Sequence, residues 1–459
     1  MILDEIIQNK ILEVDQRKIE LPIQKIKANL SLSQRNFKSA LSKGRRLNLI
    51  AEVKRKSPSK GVIRDDVDIF DVVKFYTQNK FVSAISFLTD YKYFGGTAEE
   101  MLQISLQTTK PVIRKDFIID EYQIYEARYF GADAILLIAS ELSTQQMQQY
   151  IKIAKSLRMD CLVEVHNEEE VAKLPANVEI AGINNRNLKD FTISLDTTKK
   201  LYKKLRNKAE IIVTESGIYT NEDVKKVKDF ADAMLVGTSI MKEQNLSNQI
   251  DALFRPDTKI CGITQVEDGI YCAKMDVNYL GFIFYEKSKR YIKPDMAATI
   301  STQIKEQFPD VKLVGVFVNE EKSKVLEIIE KCQLDLVQLH GEEDENYYAD
   351  IAEKTIKAFR IEDQINQFQI HHINQCKAKY VLLDTYSKNA YGGTGQSFNW
   401  KNIKAIIHKN LFVAGGINPE NYKEALQYKP DVLDINSGVE ISPGIKDHKK
   451  IEQILRGLK

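Results

Sequence analysis

From Asn48 onward, short runs rich in β-branched and other apolar residues alternate with longer stretches in which apolar positions recur at helical spacing. That alternation marks repeated βα units, whose crossover helices bring successive strands parallel. Eight such runs come first, at 48–54, 82–88, 111–115, 132–138, 160–165, 179–184, 209–215 and 232–237. The count then restarts, with eight more at 258–262, 279–284, 311–318, 334–340, 355–360, 380–385, 411–416 and 431–436. Eight parallel strands close a (β/α)8 barrel. The pattern therefore predicts an α/β chain of two consecutive (β/α)8 TIM barrels, residues 1–254 and 257–459, joined near 253–258 at an Arg-Pro-Asp turn. Ahead of the first strand lies an extra N-terminal helical segment, where Ile7, Ile11 and Val14 share one face at i, i+4 and i+7. Such a helix either plugs the barrel bottom or forms a flap over the first mouth.

The length agrees, since half of 459 residues is close to the roughly 250 of one barrel. With 43% hydrophobic and 28% charged residues, the chain is globular, which excludes wholesale disorder and fibrous repeats. The 66 basic and 64 acidic residues leave a net charge of +2, too balanced for a chain-wide nucleic-acid or membrane surface. Asp4 and Glu5 stand where a secretory signal is basic, and no run approaches the ~18 apolar residues of a membrane span. Five cysteines without a CxxC pair fit a reduced compartment, so a cytoplasmic location is expected. Among six histidines only His371 and His372 are close, with no metal-ligand spacing, so neither a metal nor a cofactor is expected. A monomer acting on phosphorylated small molecules is the partner expectation. Glycines number only 21, below the usual share, so their clusters mark specific backbone needs.

Working residues of such barrels sit at the C-terminal ends of the strands. In the first half these ends are polar. Strand one ends IAEVKRKSPSKG, and alternation points Glu52 and Lys54 to the same side, toward the mouth. Lys115 ends strand three, Glu164 lies on strand five, Asn184 on strand six, and Glu215 and Ser216 on strand seven. Mutual ion pairs closing the barrel top would be the bland account. Buried charge on this scale is costly unless used or paired, so a functional site is the better one. Gly217, Gly237 and Thr238 follow strands seven and eight, where barrels commonly hold phosphate, and Ser57 and Arg186 add to that anion site. The basic KRKSPSK loop also reads as a nucleic-acid patch, but it is short and follows a barrel strand.

The motifs IAEVKRKSPSKG, FLTDYKYFGG, VIRKDFIID, LVEVH, GINNRNL, TESGI and LVGTSIM, in this order, resemble the indole-3-glycerol-phosphate synthase family over residues 1 to about 254. The resemblance implies closure of an indole ring on 1-(2-carboxyphenylamino)-1-deoxyribulose 5-phosphate, with loss of carbon dioxide and water. It implies Lys115 as general acid on the carbonyl, Glu164 handling the dehydration proton, and Lys54 binding the anthranilate carboxylate or sharing the acid role. Glu52, Asn184, Glu215 and Ser216 would then position ring and sugar, with Phe117 and Leu88 as apolar walls.

In the second half, Cys261 ends strand one in KICGIT and Asp384 ends strand six in LLDT. A free cysteine is more often a small buried apolar residue. A thiolate base facing a carboxylic acid is, however, a reasonable pair for moving a proton between adjacent carbons. Gly392, Gly393 and Gly395 of the YGGTG loop, the Gly415–Gly416 pair, and Ser437 with Gly438 offer amides and a hydroxyl for a phosphate. Arg290, His340 and Asp434 are further polar groups near strand ends.

KICGIT, GFIFYEKSKRYI, VGVFVN, VQLHG, LLDT with GGTGQSF, AGGINPEN and DINSGVE resemble the phosphoribosylanthranilate isomerase family from about 257 to 459, apart from Lys289 where the family often has proline. The resemblance implies an Amadori rearrangement of N-(5-phosphoribosyl)anthranilate. Asp384 would be the acid that opens the ribose ring, Cys261 the base at C2, Arg290 the anthranilate-carboxylate ligand, and Asp434 part of the site wall. The isomerase product is the synthase substrate, so the fused chain reads as a bifunctional enzyme of consecutive tryptophan-pathway steps. Two rivals remain: a lyase using Lys54 or Lys115 as a Schiff base, and a chain in which one barrel only scaffolds the other.

Overall fold

The computed structural model describes residues 2–42, 47–64, 66–176, 178–187, 191–362, 365–386, 397–408 and 410–458. The chain divides into two compact units, Met1–Phe254 and Arg255–Lys459. Each holds one closed barrel of eight parallel strands, in which every strand pairs with the next in sequence and the eighth returns to the first.

In the first unit the strands are Asn48–Val53, Val82–Leu88, Val112–Lys115, Ala134–Ile138, Asp160–Val165, Ile180–Asn184, Ile211–Glu215 and Ala233–Val236. The expected run at 132–138 starts two residues late because Asp133 is spent before the strand: its carboxylate accepts the Val112 amide at 2.9 Å and pairs with Arg35 at 2.7 Å. In the second unit they are Asp257–Cys261, Tyr279–Ile283, Lys312–Phe317, Leu336–Leu339, Thr355–Ile361, Tyr380–Thr385, Leu411–Val413 and Val432–Ile435. The run at 411–416 stops at Val413 because Gly415 and Gly416 turn the chain with φ of +88° and +63°, a backbone that only glycine adopts freely.

Alternation sorts the strand residues. In the first barrel one set, including Ile50, Ile113, Leu162 and Val213, fills the interior. The other set, including Leu49, Ala51 and Val53, packs under the surrounding helices, and the second barrel divides in the same way.

The segment before the first strand does two jobs, at opposite ends of its barrel. Helix α1 spans Ile2–Glu20, α2 Ile23–Ala28 and α3 Phe37–Leu41. Phe37 and Leu41 of α3 are fully buried against the interior strand residues. The α3 backbone also donates from Lys38 to Asp160, the first residue of strand five, at 2.8 Å. The bottom plug is therefore α3. Helix α1 instead reaches the mouth, where Leu3 and Ile6 line the cavity.

The predicted stripe on α1 is corrected. Ile11 is 41% exposed, and the buried positions are Ile6, Lys10 and Val14. The inward face departs from the apolar pattern because its centre is a charged residue, Lys10. Lys10 lies 3.0 Å from Asp90 and 2.9 Å from Asp116, both beyond strand ends.

Among the described residues no helix is long and apolar enough to cross a membrane. Nor is any group of three His, Cys, Asp or Glu placed to hold a metal ion.

Two candidate active sites

The first mouth is built on the register of neighbouring strand ends. Strand pairing sets Asn184 beside Glu215 and Leu88 beside Lys115. Glu52 and Lys54, two residues apart and on one face, meet at 2.5 Å. Lys115 Nζ lies 2.9 Å from Glu164 Oε2 and 2.9 Å from Glu215 Oε2. Asn184 donates from Nδ2 to Glu164 Oε1 at 3.1 Å. Glu52, Glu164 and Glu215 are each at most 3% exposed.

Charges so buried shift one another. Burial opposes the Lys115 charge, but Glu164, Glu215 and Glu52 overcome it and hold the ammonium firmly protonated. Burial would raise Glu164, yet Lys115 and His166 bring it well below the usual carboxylate range. Glu215 goes the other way, raised by burial and by the neighbouring Glu164 charge despite Lys115. One lysine thus serves two carboxylates of opposite tendency, an arrangement suited to proton transfer.

The residues expected to hold an anion line the same cavity: Ser57, Arg186, Gly217, Gly237 and Thr238, with Phe117 and Leu88 as apolar walls. Ser216 and Gly217 both take positive φ, +66° and +87°. Such backbone, costly for serine, persists where surroundings enforce it and gathers at functional sites. At Gly237 a Cβ would sit 2.5 Å from Glu52 Oε2, so the site itself demands bare backbone there. In the basic loop, Arg55 is committed to Gly95 O and Glu100, both at 2.8 Å.

Sequence reasoning missed several groups here. His166 places Nε2 3.3 Å from Glu164 Oε1 and Nδ1 3.1 Å from Glu170 Oε2. It stands two residues after Glu164, one past the strand end as Lys54 is in strand one, so the alternation that paired Glu52 with Lys54 would have found it. Asn185 was also passed over. It donates to Thr214, Glu215 O and Ser216 O and accepts from Thr198, pinning the strand-seven turn.

In the second barrel, Cys261, Asp384, Arg290, His340 and Asp434 line one cavity with Gly416, Ser437 and Gly438. Gly392, Gly393 and Gly395 lie outside the described residues. Burial pushes the Cys261 thiol up, with Lys259 opposing. Burial likewise raises Asp434 against the pull of Lys259. Asp384 accepts the Thr385 amide at 2.8 Å, and its other oxygen lies 3.3 Å from His340 Nε2.

Arg290 is oriented by Glu440, which accepts from Nε at 2.9 Å and from Nη2 at 2.8 Å. Lys446 meets the same carboxylate at 2.8 Å. Glu440 belongs to the DINSGVE motif but carried no sequence signal for this role. Nor did Lys259, whose partners emerge only on folding.

Comparison with known proteins matches each barrel separately and the chain as a whole. A family model described as indole-3-glycerol phosphate synthase matches residues 3–253. One described as N-(5'phosphoribosyl)anthranilate (PRA) isomerase matches residues 258–456. A tryptophan biosynthesis protein TrpCF of Vibrio cholerae is 37% identical over all of this chain and 96% of its own length. The TrpCF of Helicobacter pylori is 37% identical over all of this chain and 99% of its own. That of Buchnera aphidicola subsp. Schlechtendalia chinensis is 39% identical over all of this chain and 97% of its own. With two family models in tandem and full-length relatives above one-third identity, the chain belongs to the bifunctional indole-3-glycerol-phosphate synthase and phosphoribosylanthranilate isomerase family of tryptophan biosynthesis.

Proposed function

We propose that the two reactions of this bifunctional enzyme run at the two strand-end mouths, residues 257–459 isomerising N-(5-phosphoribosyl)anthranilate and residues 1–254 closing the indole ring. In the isomerase barrel, Asp384 gives a proton to the ribose ring oxygen and the ring opens to a Schiff base. Cys261 as thiolate takes the C2 proton, and the resulting enaminol becomes the ketone of 1-(2-carboxyphenylamino)-1-deoxyribulose 5-phosphate. Arg290 binds the anthranilate carboxylate, beside His340 and Asp434. Gly393, Gly395, Gly416, Ser437 and Gly438 hold the phosphate.

In the synthase barrel, Lys115 protonates the ketone as the anthranilate ring carbon attacks C2. Carbon dioxide leaves, and Glu164 handles the proton of the dehydration that yields indole-3-glycerol phosphate. Glu52, Lys54, Asn184, Glu215 and Ser216 position the substrate, Phe117 forms an apolar wall, and Ser57, Arg186, Gly217, Gly237 and Thr238 take the phosphate. The observation that carries this reading is Lys115 Nζ lying 2.9 Å from both Glu164 and Glu215, whose charges favour its protonated form. A Schiff-base lysine requires the opposite, a depressed pKa and a free amine, which argues against the lyase alternative. The near-neutral net charge of +2 supports a protein without a nucleic-acid partner.

The test is separation of the two activities. Cys261→Ala should lower isomerisation by at least roughly 100-fold and leave ring closure on supplied substrate intact, and Lys115→Ala should do the converse. Loss of both activities in either folded variant would refute independent sites.

A further inference from the structure

Lys259 is fully buried inside the second barrel and two residues before Cys261, so both side chains point inward from one strand. Its ammonium donates to Gln338 Oε1 at 2.7 Å and to Asp434 Oδ2 at 2.7 Å. Gln338 in turn lies 2.9 Å, through Nε2, from His340 Nδ1. The far nitrogen of that ring is 3.3 Å from Asp384 Oδ2. One buried chain of polar groups therefore runs from the thiol side of the site to the carboxyl side. A Cβ at Gly281 would fall 2.7 Å from Cys261 Sγ and 3.2 Å from Lys259 Cε, so bare backbone at 281 makes room for its first members.

The direction of the chain follows from donor and acceptor counts. A lysine ammonium has only donors, so the atom it meets on Gln338 is the amide oxygen. The other end of that amide is then NH2, a donor, and His340 Nδ1 is obliged to accept. A ring nitrogen that accepts carries no proton, which leaves the proton on Nε2, facing Asp384. Asp434 at 2.7 Å keeps Lys259 charged, outweighing the effect of burial.

We propose that Lys259, acting through Gln338, locks His340 in the Nε2–H tautomer so that the ring presents a donor to Asp384, making Lys259 and Gln338 positioning residues of the isomerase. The tautomer follows from the geometry alone, while its kinetic consequence rests on the isomerase reading of this barrel. When Asp384 gives up its proton, a ring N–H lies 3.3 Å from the carboxylate and can turn to donate to it, and the imidazole lone pair is engaged elsewhere and cannot compete as a base.

The test uses the full chain labelled with 15N-histidine, the His340 signals being assigned by their loss in His340→Gln. In the wild type, Nδ1 should resonate as an unprotonated, pyridine-type nitrogen and Nε2 as a protonated one. A protonated Nδ1 in the wild type overturns the proposal, whether or not any variant folds. Gln338→Glu replaces the donor by an acceptor, so Nδ1 should become protonated and isomerase kcat should fall roughly 10- to 100-fold. The synthase activity of the same chain, expected unchanged, reports that the variant is folded. An unprotonated Nδ1 in Gln338→Glu, or a shifted tautomer with undiminished kcat, overturns the positioning role. If the wild type shows the predicted tautomer but does not turn over phosphoribosylanthranilate, the functional reading fails and the tautomer assignment stands.

Discussion

Lys10→Met removes a buried cation from the helix that covers the synthase mouth. The Lys10 side chain is 1% exposed, and Met keeps a similar stem, so little packing is lost with the charge. Of its partners, Glu13 at 2.9 Å is 36% exposed and can turn to water, and Asp116 retains Arg114 at 3.0 Å and Thr89 at 2.6 Å. Among the described residues, Asp90, 1% exposed, is then left with a capping bond to the Tyr93 amide at 2.8 Å. Leaving one buried charge unpaired costs about 3–5 kcal/mol, and Asp90 alone points to the lower end, about 3. The C-terminal half of α1 has separate anchors, Arg17 to Glu126 at 2.9 Å and Lys18 to Asp120 at 2.7 Å. The loss should therefore appear as fraying of the N-terminal half and not as collapse of the barrel. Hydrogen exchange is the assay: amides of residues 6–10, the first with acceptors inside the helix, should lose roughly 100-fold in protection, that being 3 kcal/mol at about 1.4 per decade, and those of 15–20 much less. With Leu3 and Ile6 released from the mouth, the synthase KM should rise while isomerase kinetics stay put. Protection of residues 6–10 within about threefold of wild type would refute the view that Lys10 fastens the helix.

Two further predictions concern charges near the strand ends. Burial would lower His166, but Glu164 and Glu170 raise it from 6.5 to about 10. Its stabilising contribution is thus complete below pH 6.5 and is lost as pH rises through about 10, with an upper limit of roughly 5 kcal/mol at 1.36 kcal/mol for each pH unit between the two values. Titration followed by 15N NMR should find the His166 ring still charged at pH 8, whereas a midpoint near 6.5 would disprove the pairing. Glu440→Gln should weaken the orientation of Arg290 and raise the isomerase KM by roughly 10-fold with kcat little changed. An unaltered KM would remove Glu440 from that role.

Much of this architecture is visible in the chain because barrel strands announce themselves by period and by count. That Glu52, Lys54, Lys115, Glu164 and Glu215 share one mouth was legible for a related reason: charged residues at the ends of apolar barrel strands face the same opening and meet there. What escaped was anything whose meaning depends on a distant partner. Lys10 breaks an apolar stripe and reads as solvent-facing until Asp90 and Asp116, some 80 and 106 positions away, fold around it. Lys259 sits in a quoted motif, yet Gln338 and Asp434 reach it across the barrel only when eight strands have closed. Glu440 and Arg290 are 150 residues apart. Local pattern carries the strand and the face, whereas the pairing of buried charges is set by closure.

The central claim is that one chain performs both steps, and purified full-length protein given N-(5-phosphoribosyl)anthranilate as sole substrate tests it most directly. Indole-3-glycerol phosphate should accumulate with release of one carbon dioxide for each molecule formed. Unreacted substrate, or a halt at 1-(2-carboxyphenylamino)-1-deoxyribulose 5-phosphate, would contradict the account.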